Sequence, residues 1–159
     1  MTPTKQITYP TAEVSIWIDR PPTEVFRFVA NYENDTSWRQ RVTKMTQSPV
    51  GETRQGTMTH EEMDFLGRRY VTIARVTAFE PDHRLDWASV EATTPASGWR
   101  LVQPERGGTR FSQVIQANLQ GVYRLLAPLM ISMFKKQMSQ DVTRLKQILE
   151  QNPEKVGAK

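Results

Sequence analysis

The sequence predicts an α+β domain in which a curved antiparallel sheet of six or seven strands wraps around one long C-terminal helix. Apolar and polar residues alternate in six successive segments between residues 41 and 118, and the connections between them are too short for parallel crossovers. From Tyr123 onward, apolar residues instead recur every three or four positions, which is typical of an amphipathic helix. A sheet with one apolar face has to be covered, and this is the only large apolar helix that the sequence predicts.

The first elements are a strand and one or two short helices. Alternation and β-branching predict a strand over residues 14–18. Pro21 and Pro22 suit the first turn of a helix, because the N–H groups that proline lacks would be unpaired there anyway, and the apolar spacing extends this helix to residue 30. Residues 31–36 are polar and turn-prone, so Trp38 lies where the chain re-enters the fold.

Six further strands follow, separated by turns that contain Gly or Pro and have the spacing of hairpin connections. They are predicted over residues 41–47, 55–64, 68–79, 84–92, 97–103 and 109–118. The last helix has Pro128 in its first turn and runs to Glu150, a length of roughly 35 Å at 1.5 Å per residue.

The length of 159 residues fits one domain. We expect it to span residues 12–150, with an N-terminal extension over 1–11 and a flexible tail over 151–159. No apolar run approaches the roughly 20 residues of a membrane-spanning helix, and the polar N-terminus does not resemble a secretory signal. These features predict a cytoplasmic protein without stable membrane insertion.

The net charge of +4 is concentrated near the C-terminus. Residues 1–123 hold 14 basic and 14 acidic side chains, whereas residues 124–159 hold seven basic and three acidic ones. This excess is too sparse to predict nucleic-acid binding. It fits the solvated face of a helix, with weak contact to anionic membrane lipid or RNA as the alternative. The absence of Cys excludes disulfides, thiolate nucleophiles and Cys-ligated metals.

The order of these elements is accompanied by five short motifs. They are Ile18–Phe26 (IDRPPTEVF), Trp38 after a polar turn, Val76–Pro81 (VTAFEP), Gly107–Arg110 (GGTR) and Leu125–Leu129 (LLAPL). Together they resemble the polyketide cyclase/dehydrase branch of the START-like (SRPBCC, Bet v 1-like) superfamily over about residues 12–150. The resemblance implies a helix-grip fold whose cavity binds lipids, polyketides, sterols or other apolar molecules. It implies less about activity, because this superfold hosts binders, transporters and enzymes.

His60, Glu62 and Asp64 form the most prominent cluster of candidate metal ligands. Alternate residues of a strand share a face, so these three side chains are expected to point the same way. Residues two apart on a strand lie roughly 6.5 Å from each other, which is too far for one ion without help from another element. A solvated strand face is therefore favoured, and neither a metal nor another cofactor is expected.

Catalytic chemistry has little support in the sequence. Nucleophilic catalysis is disfavoured because the chain has no Cys and no Gly-x-Ser-x-Gly motif. Acid–base chemistry, such as ring closure or dehydration, would need inward-facing polar residues, for which the candidates are His60, Glu62, Tyr70 and Gln113. If the charged Arg75 faces water, the even-numbered residues of this strand face inward, namely Tyr70, Thr72, Ala74 and Val76. The Tyr70 hydroxyl then needs a partner in the protein, in water or in a ligand.

The aromatic and methionine residues give the stronger functional signal. Two sets are expected to face each other: Trp38, Trp87 and Trp99 on the sheet side, and Met130, Met133, Phe134 and Met138 on the helix. Flexible thioethers suit a loosely specific apolar pocket. A filled core built from the same residues is the alternative, and the cavity that the resemblance implies is what supports a binding site.

The leading hypothesis is the binding of a small hydrophobic or amphipathic molecule, such as a lipid, a polyketide or an aromatic compound, between the sheet and the C-terminal helix. The candidate cavity residues are Trp38, His60, Glu62, Tyr70, Trp87, Trp99, Gln113, Met130 and Phe134. One alternative is a cyclase or dehydrase that uses acid–base residues in the same cavity. A second is docking onto a membrane or a partner through the basic helix, which a large exposed apolar patch there would favour.

Overall fold

A computed structural model of the protein describes residues 9–151. Most of the predicted N-terminal extension and tail therefore lies outside the described residues. In chain order the elements are β1 (Thr11–Ile18), α1 (Pro22–Ala30), a 3-10 turn (Tyr32–Asn34), α2 (Asp35–Trp38), β2 (Val42–Ser48), β3 (Met58–Phe65), β4 (Arg68–Glu80), β5 (Arg84–Ala92), β6 (Ala96–Glu105), β7 (Gly108–Ala117), α3 (Val122–Leu125) and α4 (Ala127–Gln151).

The seven strands found in residues 9–151 form one antiparallel sheet in the order β1-β7-β6-β5-β4-β3-β2. Strands β2 to β7 are linked by successive hairpins, and β1 pairs with β7. The sheet curls into a half-barrel with α4 against it, so the predicted α+β helix-grip fold is confirmed. Strand β3 begins at Met58 rather than at residue 55, because the preceding residues form a turn that places Gly56 at a φ of 91°.

Helix α4 is buried unevenly along its length. In its C-terminal half, Met138, Val142, Leu145 and Leu149 are buried and belong to the same apolar cluster as residues of β1 and α1. In its N-terminal half only Ala127 is buried, whereas Met130, Ile131 and Phe134 are half-buried. The C-terminal half therefore anchors the helix, and the N-terminal half is left to form one wall of a cavity.

Polar contacts fix the C-terminal end of α4 to the end of β1. The Arg20 guanidinium donates to the carbonyl oxygens of Leu149 (3.0 Å) and Glu150 (2.8 Å), which satisfies carbonyls that the helix end leaves unpaired. Lys146 donates to the Trp17 carbonyl at 2.9 Å and pairs with Glu150 at 2.5 Å. Burial alone would raise the pKa of Glu150, but Lys146 and the Asp19 N–H lower it below its ordinary value.

Gly98 allows β5, β6 and β7 to pack closely around Trp87. It pairs with Trp87 across β5 and β6. A Cβ at this position would lie 2.1 Å from the Val114 carbonyl oxygen and 3.2 Å from the Trp87 ring. The first distance involves backbone, which cannot move away without disturbing the sheet.

We therefore expect Gly98→Ala to lower the free energy of unfolding by about 1–3 kcal/mol, the usual cost of forcing an atom into a packed core. Urea titration followed by circular dichroism measures this. Ser97→Ala, on the opposite face of β6, is the control and should change stability by about 0.5 kcal/mol or less. Equal stability of the two variants would show that the sheet relaxes around the added methyl group.

Candidate functional site

A cavity lies between the concave face of the sheet and the N-terminal half of α4. Space for the centres of water-sized spheres amounts to about 120 Å³. Because roughly 10–15 Å³ of such space suffices for one water, the cavity can hold on the order of ten water-sized groups. Short side chains on the concave face provide the room, namely Ala74, Ala96 and Ala117.

The lining is mostly apolar. Besides the three alanines, the apolar residues that line the cavity are Met45, Met63, Phe65, Trp87, Ile115, Leu119, Met130, Ile131 and Phe134. The Phe65 and Phe134 rings meet edge to face with their centroids 5.4 Å apart, so the β3–β4 turn contacts α4 directly. Such a surface favours an apolar molecule or an apolar part of a larger one.

The two ends of the cavity differ in polarity. Arg100 and Gln113 face each other in register, four residues along β6 and β7 from Ala96 and Ala117, or about 13 Å at 3.3 Å per residue. Val102 and Phe111, fully buried, follow them and seal this end. We call it the closed end; its polar lining includes Tyr32, Arg39, Thr59, Glu61, Arg100 and Gln113.

A buried network of ion pairs organises the closed end. Arg100 donates to both Asp35 carboxylate oxygens, at 2.9 and 2.5 Å, and to the Val29 carbonyl at 2.6 Å. Arg39 donates to Asp35 at 3.0 Å and also contacts Glu61. Burial alone would lower the pKa of Arg39, but the Glu61 and Asp35 carboxylates raise it above its ordinary value, so Arg39 stays charged.

Two aromatic rings stack on the buried guanidinium. The Arg100 Cζ lies 4.6 Å from the Tyr32 ring centroid and 5.3 Å from that of Trp38. Burial raises the pKa of Tyr32 well above its ordinary value, although the charge of Arg100 opposes this shift. The Tyr32 hydroxyl therefore remains protonated at physiological pH.

Five of the predicted candidates line the cavity: Tyr70, Trp87, Gln113, Met130 and Phe134. The parity argument from Arg75 holds, because Arg75 is exposed while Tyr70, Thr72 and Ala74 line the cavity. The Tyr70 hydroxyl makes no hydrogen bond to another residue within the described range 9–151. Contact of these five residues with a ligand stays a prediction.

His60 and Glu62, two of the candidate cavity residues, lie on the other face of the sheet, in agreement with the solvated strand face that was favoured for them. The register pairs Glu61 with Thr72 and Met63 with Tyr70, so the odd-numbered residues of β3 face inward. Glu62 instead lies near Lys44 and Arg69, at 3.5 and 3.4 Å, and near His60 at 3.4 Å. No group of three His, Cys, Asp or Glu residues within the described part of the chain is arranged to hold a metal ion.

Trp38 and Trp99 do not line the cavity either. Trp38 is fully buried behind the closed end, where its ring meets Phe111 edge to face with centroids 6.1 Å apart. Trp99 points outward because its neighbours Gly98 and Arg100 point inward, and Arg84 stacks on its ring at 4.8 Å. On α4, Met133 is exposed and Met138 is buried in the core.

The sequence reasoning missed four polar residues of the closed end: Tyr32, Arg39, Glu61 and Arg100. Glu61 had a usable signal, because the two-residue turn Leu66-Gly67 fixes the register of β3 against β4. Arg75 fixes which residues of β4 face inward. The hairpin register transfers this assignment to β3, where it places Glu61 inward and Glu62 outward. Arg100 had no such signal, since apolar residues occupy both faces of β6.

The sequence also matches the profile of one protein family, described as polyketide cyclase/dehydrase and lipid transport, over residues 9–150. The chain belongs to this family. The START-like resemblance of the motifs is therefore confirmed. The family description combines enzymes with lipid transport and does not by itself decide between them.

Two solved structures illustrate the fold that this chain shares with known proteins. The protein TTHA0849 from Thermus thermophilus is 18% identical, with a TM-score of 0.76 over 87% of this chain and 95% of that one. A START superfamily protein from Mycobacterium smegmatis is 11% identical, with a TM-score of 0.64 over 92% and 98% of the two chains. At these identities the likeness shows the fold alone.

No curated protein matches the sequence significantly. Among the helices within residues 9–151, none is long and apolar enough to cross a membrane.

Arg100 and Asp35 should contribute to the free energy of unfolding in a strongly coupled way, because loss of either partner leaves a buried charge uncompensated. We expect Arg100→Met to cost about 3–5 kcal/mol of unfolding free energy. The double variant Asp35→Asn/Arg100→Met should lose clearly less than the sum of the two single variants. Urea titrations of all four proteins measure the coupling.

Arg84→Met is the matched control, since Arg84 pairs with Asp86 near the surface at 2.6 Å and also stacks on a Trp ring. It should cost at most about 1 kcal/mol. Additive losses in the Arg100 cycle would contradict a coupled ion pair.

Proposed function

We propose that this member of the family binds a small, largely apolar molecule in the cavity between the sheet and α4. The observation that carries the proposal is an apolar cavity of about 120 Å³ at the point where α4 is least buried. A bound apolar molecule would transfer its own apolar surface from water into the cavity, which is worth roughly 25 cal/mol per Å².

The arrangement of polar groups favours binding over acid–base catalysis. Of the four predicted acid–base candidates, His60 and Glu62 lie outside the cavity, whereas Tyr70 and Gln113 line it. The carboxylate that does line it, Glu61, already contacts the Arg39 guanidinium. The Arg39 guanidinium holds one Glu61 oxygen, Oε2, in an ion pair, which leaves only the other oxygen free to accept a proton from a bound molecule.

The binding proposal is tested with prodan, a neutral naphthalene ketone whose emission shifts to shorter wavelength in apolar surroundings. We expect a saturable shift together with a higher melting temperature, since a ligand at about 100 times its dissociation constant adds roughly 2.7 kcal/mol to the folded state. Met130→Glu should abolish both responses, because it places a charge in the apolar lining.

Met133→Glu is the matched control on the same helix. Met133 is 42% exposed and does not line the cavity, so its replacement should leave prodan binding unchanged. Ala74→Leu, which fills part of the cavity from the sheet side, gives a second and uncharged test. Unchanged prodan binding in both cavity variants would refute the proposed site.

A second candidate function, docking onto an anionic membrane, is favoured by an exposed apolar surface. We define the leucine patch as Leu66, Val122, Leu125, Leu126, Leu129 and Met133, all of them exposed. Leu125 and Leu129 are 82% and 61% exposed. The β3–β4 turn that carries Leu66 lies against α3, because Arg68 stacks on the Tyr123 ring at 5.2 Å.

The basic residues near the leucine patch favour an anionic bilayer as the surface that it binds. No acidic residue occurs between Glu105 and Asp141, whereas Arg124, Lys135 and Lys136 lie within this stretch. Apolar side chains bordered by cations are typical of helices that lie in the interface of anionic membranes. The patch also adjoins the apolar end of the cavity, where Met130 and Phe134 of the same helix form the lining.

Sedimentation with lipid vesicles tests this second function. We expect binding to mixed phosphatidylcholine and phosphatidylglycerol vesicles and little to phosphatidylcholine alone, with loss at about 1 M salt, where the Debye length falls to about 3 Å. Leu125→Glu/Leu129→Glu should abolish it.

Val90→Glu, an equally exposed apolar position on β5, is the control and should bind vesicles as the wild type does. Vesicle binding that survives the double substitution would exclude the leucine patch as the docking surface. Prodan binding by the double variant should be unchanged, which separates the two functions.

A further inference from the structure

The Tyr32 hydroxyl is a buried polar group without a partner. Tyr32 is 4% exposed and lines the cavity, and its oxygen has no hydrogen-bond partner among the residues that the structure describes. Buried hydroxyls are nearly always hydrogen-bonded, because leaving one unpaired forfeits its interaction with water. The oxygen has almost no surface open to a water-sized atom, so a molecule in the cavity reaches it only after the Tyr32 side chain turns toward the cavity.

Gln113 presents a second free polar group at the same place. It is 3% exposed and lines the cavity, and no residue from 9 to 151 hydrogen-bonds to its side-chain amide. Arg100 stands directly between the two, since it pairs with Gln113 across β6 and β7 and its Cζ lies 4.6 Å from the Tyr32 ring. Tyr32 and Gln113 thus flank the same guanidinium at the closed end.

The charges at the closed end are already balanced. Arg39 and Arg100 carry two positive charges, and Asp35 and Glu61 carry two negative ones, all engaged in the ion pairs given above. Asp141 of α4 is the further carboxyl near Arg39; burial raises its pKa, and it accepts hydrogen bonds from the Gln40 N–H and the Gln137 amide. Each cation in the described part of this end has a carboxylate partner, although the buried Arg100 Nε–H has no hydrogen-bond acceptor there. An anionic ligand would therefore enter as an excess buried negative charge.

We propose that the closed end selects ligands with a neutral oxygen-bearing head, such as a ketone, a phenol or an alcohol, over carboxylates such as fatty acids. The Tyr32 hydroxyl and the Gln113 amide bind this head, while the apolar body lies toward α4. This inference rests on the proposed binding function. The size of the cavity, on the order of ten water-sized groups, favours compact ring systems.

The test uses four naphthalenes substituted at one ring position: the methyl ketone, the phenol, the carboxylate and the ethyl derivative. Calorimetric titration at neutral pH should give the ketone and the phenol at least roughly tenfold higher affinity than the carboxylate. Their affinity should exceed that of the ethyl compound about three- to tenfold, which corresponds to one hydrogen bond.

Two variants assign the selectivity to named residues. Tyr32→Phe should lower the affinity for the ketone about three- to tenfold and leave that for the ethyl compound unchanged. Its melting temperature without ligand should stay the same or rise, because the substitution removes an unpaired buried hydroxyl. Gln113→Met provides an independent second variant, and Tyr123→Phe, an exposed tyrosine outside the cavity, is the control.

The outcomes separate this inference from the binding function. If the carboxylate binds as tightly as the ketone, the charge argument is wrong. If Tyr32→Phe and Gln113→Met both leave the preference for the ketone intact, these residues do not bind the head. If the ethyl compound binds and the polar heads bring no preference, the binding function stands and the inference falls; if none of the four binds, both are overturned.

Discussion

The buried pair of Arg100 and Asp35 is the interaction on which the arrangement of this fold depends. Arg100 lies on a central strand, while Asp35 begins the short helix α2, 65 residues away in sequence. Neither charge is tolerable alone in the interior, so the corner between α1 and α2 has to sit over β6. The bond from Arg100 to the Val29 carbonyl adds the end of α1 to the same cluster. The position of this corner in turn closes one end of the cavity.

Stability and binding capacity are divided along α4. The C-terminal half packs tightly and is tied to β1 by Arg20 and Lys146, so it holds the helix against the sheet. The N-terminal half contacts the sheet through Phe65 but lies across the cavity from Ala74, Ala96 and Ala117, so its apolar surface is incompletely buried. Side chains that line a cavity make fewer packing contacts than those in a filled core, so the tight half contributes more of the stability. A bound molecule would supply the missing contacts.

Under the proposed function, the polarity of the cavity gives a ligand a defined direction. A polar head fits the closed end beside Tyr32 and Gln113, and an apolar body fits between Phe65, Met130 and Phe134. The apolar end lies next to the leucine patch and its surrounding cations. Membership of a family described by both cyclases and lipid transport is compatible with this arrangement, and the chemistry of the closed end is where relatives with different activities are expected to differ.

The sequence by itself determined the order of elements, the antiparallel sheet and the final helix, because hydrophobic periodicity and turn residues are local properties. It also determined the inward face of β4, since one exposed arginine sets the parity of a whole strand. Glu61 was predictable through the Leu66-Gly67 hairpin, although Glu62 was the sequence-based candidate instead. Only the tertiary structure decided between Trp99 and Arg100 on β6, where both faces carry apolar residues. An arginine faces inward only where a counter-charge is present. Here folding brings Asp35 to Arg100 from 65 residues away in the sequence.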